Sequence, residues 1–249
     1  MTLLLRKTVG ELVVERPARA KVFESLGIDF CCGGRKTLEQ ACHEQAMDPT
    51  VVQNVLNLFD VQGDSAGKSE NDWSVASLTE LVTHIEATHH AYLKREFPQL
   101  GAWVKKIGAR HGEHDPRLVK LATVFEVFVA ELTSHMEKEE KVLFPLCRAL
   151  EAGNFNSINS HCGSIRNPIS AMLAEHDDAG DALEQMSELT NGFVAPPDAC
   201  NTFRAMLDGL AQLRRDMHQH VHKENNILFP KAIELESRLT GRTTEVVGA

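Results

Sequence analysis

Two segments of the chain carry the same pattern of potential metal ligands. One contains His135 and Glu139, the other contains His220 and Glu224, and in both the triplet Leu-Phe-Pro begins four residues after the Glu. All these shared residues are displaced by 85 positions (220 minus 135). Four residues of α-helix turn about 400° and rise about 6 Å, so each His projects from the same helix face as its Glu. An imidazole and a carboxylate on one face form half of a metal site, and two facing copies predict most of a dinuclear site.

The missing ligands are sought on the helices that precede the two motifs. His176 precedes His220 by 44 positions, and His90 precedes His135 by 45. His89 matches the spacing of the repeat almost as well as His90. Because neighbouring helical residues project about 100° apart, only one of the two is expected to face the core axis. The predicted set takes one His from each of four helices and two Glu: His90, His135, His176, His220, Glu139 and Glu224.

The donor types in this set favour iron. Ca²⁺ and Mg²⁺ prefer oxygen ligands, and structural zinc prefers four ligands that often include thiolate. Compared with ferritin-like sites of four Glu and two His, this set carries two fewer negative charges, which predicts a redox-cycling site rather than a mineralising one. A single His-x-x-x-Glu is usually a salt-bridged helix face, but two copies in register, each preceded by a His, favour two non-haem iron ions with an oxo or carboxylate bridge.

Two adjacent cysteines form a second reactive cluster. Cys31 and Cys32 would close a strained disulfide ring, so a stable bridge between them is not expected. The two glycines that follow leave backbone N–H groups open, and Arg35 and Lys36 add positive charge, which predicts lowered thiol pKa values. We therefore predict a catalytic thiolate relay for metal or electrons, against the alternative of two small residues in a tight turn. The other cysteines are expected to be buried or incidental: Cys42, Cys147, Cys162 and Cys200.

The composition predicts an all-α protein, since Ala, Leu, Glu and Lys are plentiful and strand-type runs are scarce. Residues 1–60 are interpreted as a small helical domain, whose helices start at capping boxes and whose last helix runs to about Phe59. Residues 61–76 are interpreted as a linker, 77–240 as four long helices forming a bundle, and 241–249 as a frayed tail.

Helix boundaries in the second domain are predicted from caps and prolines. Asp115 and Asn167, each followed by Pro, are expected to cap helices. Pro145 and Pro230 lack a backbone N–H and are expected to kink or end the motif helices. Of the acidic residues beside the ligands, Glu140 is expected to be solvated and Glu175 to orient an imidazole. The histidines His161, His218 and His222 are expected to lie at the surface.

Charge and hydropathy limit the classes of protein that fit. The formal net charge of −9 is opposite to that of a generic nucleic-acid binder. No signal-peptide core or membrane-length apolar run is present, and the six cysteines show no disulfide framework. These observations predict a soluble cytoplasmic protein that binds neither nucleic acid nor membrane.

The segment Asp29-Phe-Cys-Cys-Gly-Gly, followed by a bundle with two such ligand motifs, resembles the RIC ("repair of iron centres") family. The resemblance runs from about Thr8 to Pro230. It implies a hemerythrin-like four-helix bundle whose iron ligands carry over to the six residues predicted above, with the two Glu bridging the irons. The family's vicinal cysteines match Cys31 and Cys32, and His111 matches a further histidine of the family. The place of His111 in the connection before Asp115 would by itself allow it to serve as an extra ligand or proton carrier.

The resemblance implies repair or protection of iron–sulfur clusters damaged by nitrosative or oxidative stress. The implied routes are iron donation and reduction of nitric oxide to nitrous oxide, so that an enzymatic activity stays open. Damaged iron–sulfur proteins would be partners, nitric oxide or oxygen would be small ligands, and a homodimer is compatible with this interpretation. The alternative is an oxygen or nitric oxide binding or sensing module, which has no use for the paired cysteines.

Overall fold

The computed structural model describes residues 3–64, 72–154 and 163–241. Within these ranges the secondary structure is helical, and the only bridge between extended residues is an isolated one joining Thr8 and Thr37. The predicted all-α fold is confirmed. The chain divides into two compact units, residues 1–81 with 221–249, and residues 82–220. None of the described helices combines the length and hydropathy needed to cross a bilayer.

Over residues 3–64, the described N-terminal part of the first unit contains five α-helices of 4 to 16 residues and one 3-10 turn. Thr8 begins the second helix with a capping box: its hydroxyl accepts the N–H of Glu11 at 3.2 Å, and the Glu11 carboxylate accepts the N–H of Thr8 at 2.9 Å. Thr37 caps the fourth helix in the same way with Gln40, so both predicted capping boxes are confirmed. The helices are α1 (Leu3–Arg6), α2 (Val9–Glu15), α3 (Ala20–Leu26), α4 (Leu38–Glu44) and α5 (Pro49–Asp64), with the 3-10 turn at Pro17–Arg19.

Apolar burial and one buried ion pair hold these helices together. Arg19 is 5% exposed, and it donates to Asp60 at 2.6 Å and to the carbonyl of Leu12 at 3.1 Å. A guanidinium bound on several sides is the form in which a buried charge is tolerated. Helix α5 extends five residues beyond its predicted end near Phe59, and residues 65–71 of the predicted linker lie outside the described ranges. The central apolar residues include Val9, Leu12, Phe23, Phe30, Leu38, Cys42 and Leu56.

Four long helical segments make up most of the remaining chain. Asp115 caps one of them, accepting the N–H of Arg117 at 3.1 Å with Pro116 in the first turn, as predicted. The predicted cap at Asn167 is wrong, because the helix already begins at Arg166, whose N–H is accepted by the Ser164 hydroxyl at 3.2 Å. The α-helices are α6 (Leu78–Ile85), α7 (Ala91–His111), α8 (Pro116–Lys138), α9 (Phe144–Glu151), α10 (Arg166–Leu189), α11 (Asn201–Lys223) and α12 (Phe229–Thr240).

Three of the four segments contain a π-helical turn, in which the backbone N–H bonds five residues back. These turns are π1 (Glu86–His90) between α6 and α7, π2 (Glu139–Leu143) between α8 and α9, and π3 (Glu224–Leu228) between α11 and α12. Of the prediction that Pro145 and Pro230 kink or end their helices, the ending is wrong, because helical structure continues past both prolines. Both prolines lie in the first turn of an α-helix that directly follows a π turn, so the irregular hydrogen bonding begins before the proline and the helix continues.

Residues 82–220 form a unit of packed helices with an aromatic core. Helices α7 and α8 are joined by a short turn and pack on each other, and α10 packs on α8. The rings of Phe97, Phe125 and Phe128 contact one another with centroids 6.2–6.5 Å apart. This core fixes α8, which carries His135, against α7, which directly follows His90.

Candidate metal centre

Glu139 is the central residue of a buried group of imidazoles within residues 82–220. Its side chain is fully buried, and its Oε2 atom lies 3.3 Å from Nε2 of His90 and 3.4 Å from Nε2 of His135. The Nε2 atoms of His135 and His176 lie 3.1 Å apart. One carboxylate is thus shared between two sets of nitrogen donors. The sets are His90 with His220, and His135 with His176, each with its ligand atoms within 4.8 Å of one another and of Glu139.

The donor chemistry of this group fits metal ions. All four histidines are at most 2% exposed, and a carboxylate in such surroundings is costly unless positive charge accompanies it. Imidazole nitrogens that face each other across about 3 Å, with a carboxylate oxygen beside them, are typical of a site that a cation fills. Nitrogen and oxygen donors together suit a transition metal rather than Ca²⁺ or Mg²⁺.

Glu224 occupies the position in the second motif that Glu139 occupies in the first. It is fully buried, and it begins the π3 turn one helical turn after His220 on the same uninterrupted segment. The motif Glu therefore begins a π turn in both copies, and His90 ends π1. Such turns occur mainly as single-turn bulges at functional sites, because they rotate a side chain away from its regular helical position.

Glu175 orients the imidazole of His135. Its Oε2 atom lies 2.9 Å from Nδ1 of His135, and its other oxygen pairs with Lys138. Burial favours a higher pKa for this carboxyl, but the bonds from Lys138 and His135 prevail and lower it below its ordinary value. An ionised acceptor on Nδ1 keeps the proton there and leaves Nε2 to face the site. The prediction that Glu175 orients an imidazole is confirmed, although its partner is His135 rather than the neighbouring His176.

Glu140 plays the same part for His90. Its Oε1 atom lies 2.7 Å from Nδ1 of His90 and 2.6 Å from the Lys94 ammonium. Burial again opposes ionisation, yet the bonds from Lys94 and His90 lower the pKa of the Glu140 carboxyl. The prediction that Glu140 is solvated is therefore wrong. The prediction assumed that Glu140 could contact a ligand only if it faced the centre. Glu140 instead reaches His90 from the outer side of the imidazole, at Nδ1.

His89 is a positioning residue rather than a member of either donor set. Both His89 and His90 are buried at the end of the π1 turn, and of the two only His90 is a member of a donor set. Nδ1 of His89 lies 2.9 Å from Asp216, and its ring stacks on the ring of His220 with centroids 5.2 Å apart. His89 thus fixes the plane of the His220 imidazole by stacking on its face.

Two other histidines differ in position from the predictions. His111 ends α7, 21 residues after His90, which is about 31 Å along a helix, and its ring packs on Phe203. His222, predicted at the surface, is 4% exposed and contacts the Phe30 ring edge-on at 5.6 Å. Burial lowers its pKa to about 4. His161 lies outside the described residues.

The loop with the paired cysteines is organised by Asp29. Its carboxylate accepts the backbone N–H groups of Cys31 at 2.9 Å, Cys32 at 3.1 Å and Gly33 at 2.7 Å. The Cys31 Sγ atom lies 3.1 Å from Asp29 Oδ1 and 4.0 Å from Cys32 Sγ. The predicted lowering of the thiol pKa is wrong for Cys31. The hydrogen bond with Cys32, burial and the negative Asp29 raise its pKa well above the ordinary value, and the carboxylate has taken the N–H groups expected to favour thiolate.

Two asparagines after Glu224 hold this loop within the first unit. Asn226 Nδ2 lies 3.2 Å from the carbonyl oxygen of Phe30, and Asn225 Nδ2 lies 3.4 Å from that of Cys31. The sequence analysis missed both residues. A signal was available, since the first motif continues with the charged Glu140 and Lys141 where the second has two neutral amides. The other described cysteines agree with the prediction, because Cys42 and Cys147 are buried and Cys200 is exposed.

Comparison with known proteins adds two family matches and several close relatives. Residues 81–232 match the hemerythrin HHE cation-binding domain, and residues 5–60 match a domain of unknown function, DUF542. The chain is 35% identical to the iron-sulfur cluster repair protein YtfE of Cronobacter sakazakii over 226 residues, 90% of this chain and 95% of the relative. It is 34% identical to YtfE of Escherichia coli O157:H7, covering 90% and 96%. It is 32% identical to a probable iron-sulfur cluster repair protein of Haemophilus influenzae, covering 92% and 97%.

Proposed function

Because the chain belongs to the iron–sulfur cluster repair family, which joins a DUF542 domain to a hemerythrin HHE domain, we propose that it repairs or protects damaged iron–sulfur clusters with a two-iron centre. The observation that carries this proposal is the buried Glu139 carboxylate between Nε2 atoms of His90 and His135. A shared carboxylate with imidazoles on both sides is the arrangement a two-metal site needs.

The proposed ligands are the six predicted from the sequence. His90 and His220 would hold one iron, His135 and His176 the other, and Glu139 would serve both. Glu224 is included because it is buried, follows His220 by one turn and repeats the position of Glu139. We leave His111 out, since its place about 31 Å along α7 from His90 puts it beyond reach of the site.

The protein's own side chains define how such a centre would behave. When bound, two iron ions supply one-electron redox chemistry and coordination positions for a small ligand. Glu140 and Glu175 hold a proton on the outer nitrogen of their imidazoles, which keeps Nε2 available as a donor. Two carboxylates offset only part of the charge of two divalent ions, which favours the reduced state and easy release of a metal ion.

We propose two routes from this centre to cluster repair, iron donation to the damaged protein and reduction of nitric oxide to nitrous oxide. Damaged iron–sulfur proteins in the cytoplasm would be the partners. The alternative, an oxygen or nitric oxide binding or sensing module, is less well supported. A carrier has no need for the paired-cysteine loop, and the relatives compared above are named for cluster repair.

The test uses the anaerobic, iron-loaded full chain and a [4Fe–4S] dehydratase inactivated with nitric oxide. We expect the wild type to restore dehydratase activity, and Glu139→Gln to restore little because the shared carboxylate charge is lost. Glu137→Gln is the matched control, since Glu137 pairs with Lys141 on the exposed side of the same segment. Nitrous oxide, followed by gas analysis without the dehydratase, separates the two routes. A fully loaded protein that neither restores activity nor forms nitrous oxide would refute the proposal.

A further inference from the structure

The cysteine loop brings three potential metal ligands together in the first unit. Asp29, Cys31 and Cys32 each offer one ligand atom within 4.8 Å of the others. The sulfur of Cys31 lies 3.1 Å from the carboxylate oxygen and 4.0 Å from the second sulfur. We propose that this loop is a second metal site, which takes a thiophilic divalent cation such as Zn²⁺ or Fe²⁺ independently of the His and Glu centre.

The distances suit one ion bound by both sulfurs. Metal–thiolate bonds are about 2.3 Å long, so two of them at a tetrahedral or trigonal angle place the sulfurs about 3.8–4.0 Å apart. With a metal–oxygen bond of about 2.1 Å, the 3.1 Å between the Asp29 oxygen and the Cys31 sulfur corresponds to an angle of about 90°, and a tetrahedral angle is reached when the two atoms separate by about 0.5 Å. The three ligand atoms therefore need little movement to meet one cation.

The loop is already held in this shape by contacts that do not involve the sulfurs. Three backbone N–H groups bond to Asp29, and the amides of Asn225 and Asn226 bond to the loop carbonyls. A Cβ atom on Gly34 would lie 2.6 Å from Asn226 Oδ1 and 2.8 Å from the Phe30 carbonyl oxygen, so the backbone and the asparagine are in close contact. A site whose supporting bonds are in place loses less entropy when the ion binds.

The charge and exposure of the three ligands indicate a site for transient binding. Binding would release one proton from each thiol to solvent and form two metal–sulfur bonds, with no change of oxidation state. Two thiolates and a carboxylate give three negative charges, which a divalent cation largely neutralises. Three protein ligands leave a coordination position open, unlike the four of structural zinc sites. Asp29 is exposed and Cys32 half-buried, so an ion could enter and leave from solvent.

Cadmium is the probe, because thiolate binding to Cd²⁺ gives an ultraviolet charge-transfer band that His and Glu ligands do not produce. The full chain is reduced, iron-loaded and titrated anaerobically with Cd²⁺, while iron retention is measured in parallel. We expect one equivalent to give the band, and Cys31→Ser or Cys32→Ser to weaken binding at least tenfold. Cys200→Ser, which removes an exposed cysteine outside the loop, should bind like the wild type.

Thermal unfolding of each variant without cadmium shows whether the loop still folds, and both Ser variants keep the Asp29 turn. Asp29→Asn should weaken Cd²⁺ binding while the band persists at saturation, because both sulfurs remain. Absence of the band in the wild type, or its loss in Cys200→Ser, would overturn the proposal. Unchanged affinity in both folded Ser variants would also overturn it. The result does not depend on cluster repair, since the signal comes from sulfur alone.

Discussion

Replacing Glu175 with Gln tests how the carboxylates outside the centre control it. Glu175 bonds to His135 Nδ1 at 2.9 Å and pairs with Lys138, and its lowered pKa means that it is ionised at neutral pH. Loss of such a partner typically weakens metal binding about 10–100-fold, or about 1.4–2.7 kcal/mol. Gln keeps an acceptor oxygen but removes the charge, so we expect the lower part of this range, about 10–30-fold.

The assay is a titration of the metal-free protein with Co²⁺ in competition with a chromophoric chelator. Because the candidate ligand to which Glu175 bonds is His135, one of the two binding steps should weaken while the step at His90 changes little. Glu140→Gln should give the mirror result, since Glu140 bonds to His90.

Glu137→Gln is the control for a lost negative charge on the same segment. Glu137 pairs with Lys141, both side chains are more than half exposed, and exposed pairs contribute little. We expect less than a twofold change. The reasoning is refuted if Glu175→Gln stays within twofold of the wild type, or if Glu137→Gln weakens binding as much.

Three further predictions concern the stability of the metal-free protein, measured by urea unfolding. Gly34→Ala should cost about 1–3 kcal/mol, because the new Cβ would lie 2.8 Å from the Phe30 carbonyl oxygen; a wild-type-like midpoint would contradict this packing. Gly101→Ala should stabilise by up to about 1 kcal/mol, since its Cβ would meet only an ordinary contact at 3.7 Å within helix α7. The pKa of His222 is lowered to about 4 from 6.5, so its stabilising effect is complete above pH 6.5 and is lost as the pH falls toward 4. Between pH 7 and pH 5 the free energy of unfolding of His222→Gln should therefore fall by about 1–2 kcal/mol less than that of the wild type. An equal fall in both proteins would exclude this role of His222.

The candidate ligands could be predicted from the sequence because both motifs and their preceding histidines repeat at nearly constant spacing. Helix starts at Thr8, Thr37 and Asp115 were equally predictable, since a cap is a local interaction between neighbouring residues. The six proposed ligands needed no information beyond helical periodicity and the repeat.

What the sequence could not show depends on contacts between distant residues. The pKa of Cys31 was predicted in the wrong direction, because the negative charge of Asp29 and the bonds it makes are set by the fold of the loop. The burial of His222 depends on Phe30, almost two hundred positions earlier. Glu140 was assigned to solvent because only side chains that face the centre were considered, whereas it reaches His90 from the outer side of that imidazole, at Nδ1.

The three π turns mean that this centre depends on the length of the helices as well as on the residue types. A π turn is equivalent to one residue inserted into an α-helix, and an insertion of this kind is usually a cost to stability. Deleting one residue between Glu139 and Phe144 would allow a regular α-helix, in which the residues after the turn keep their orientation while the side chains of the turn itself, beginning with Glu139, lose their displaced positions. Such a chain could fold with every ligand type present and still fail to assemble the centre. Relatives of this fold whose motif helix is one residue shorter at this turn are therefore expected to bind metal more weakly, even where the His and Glu themselves remain.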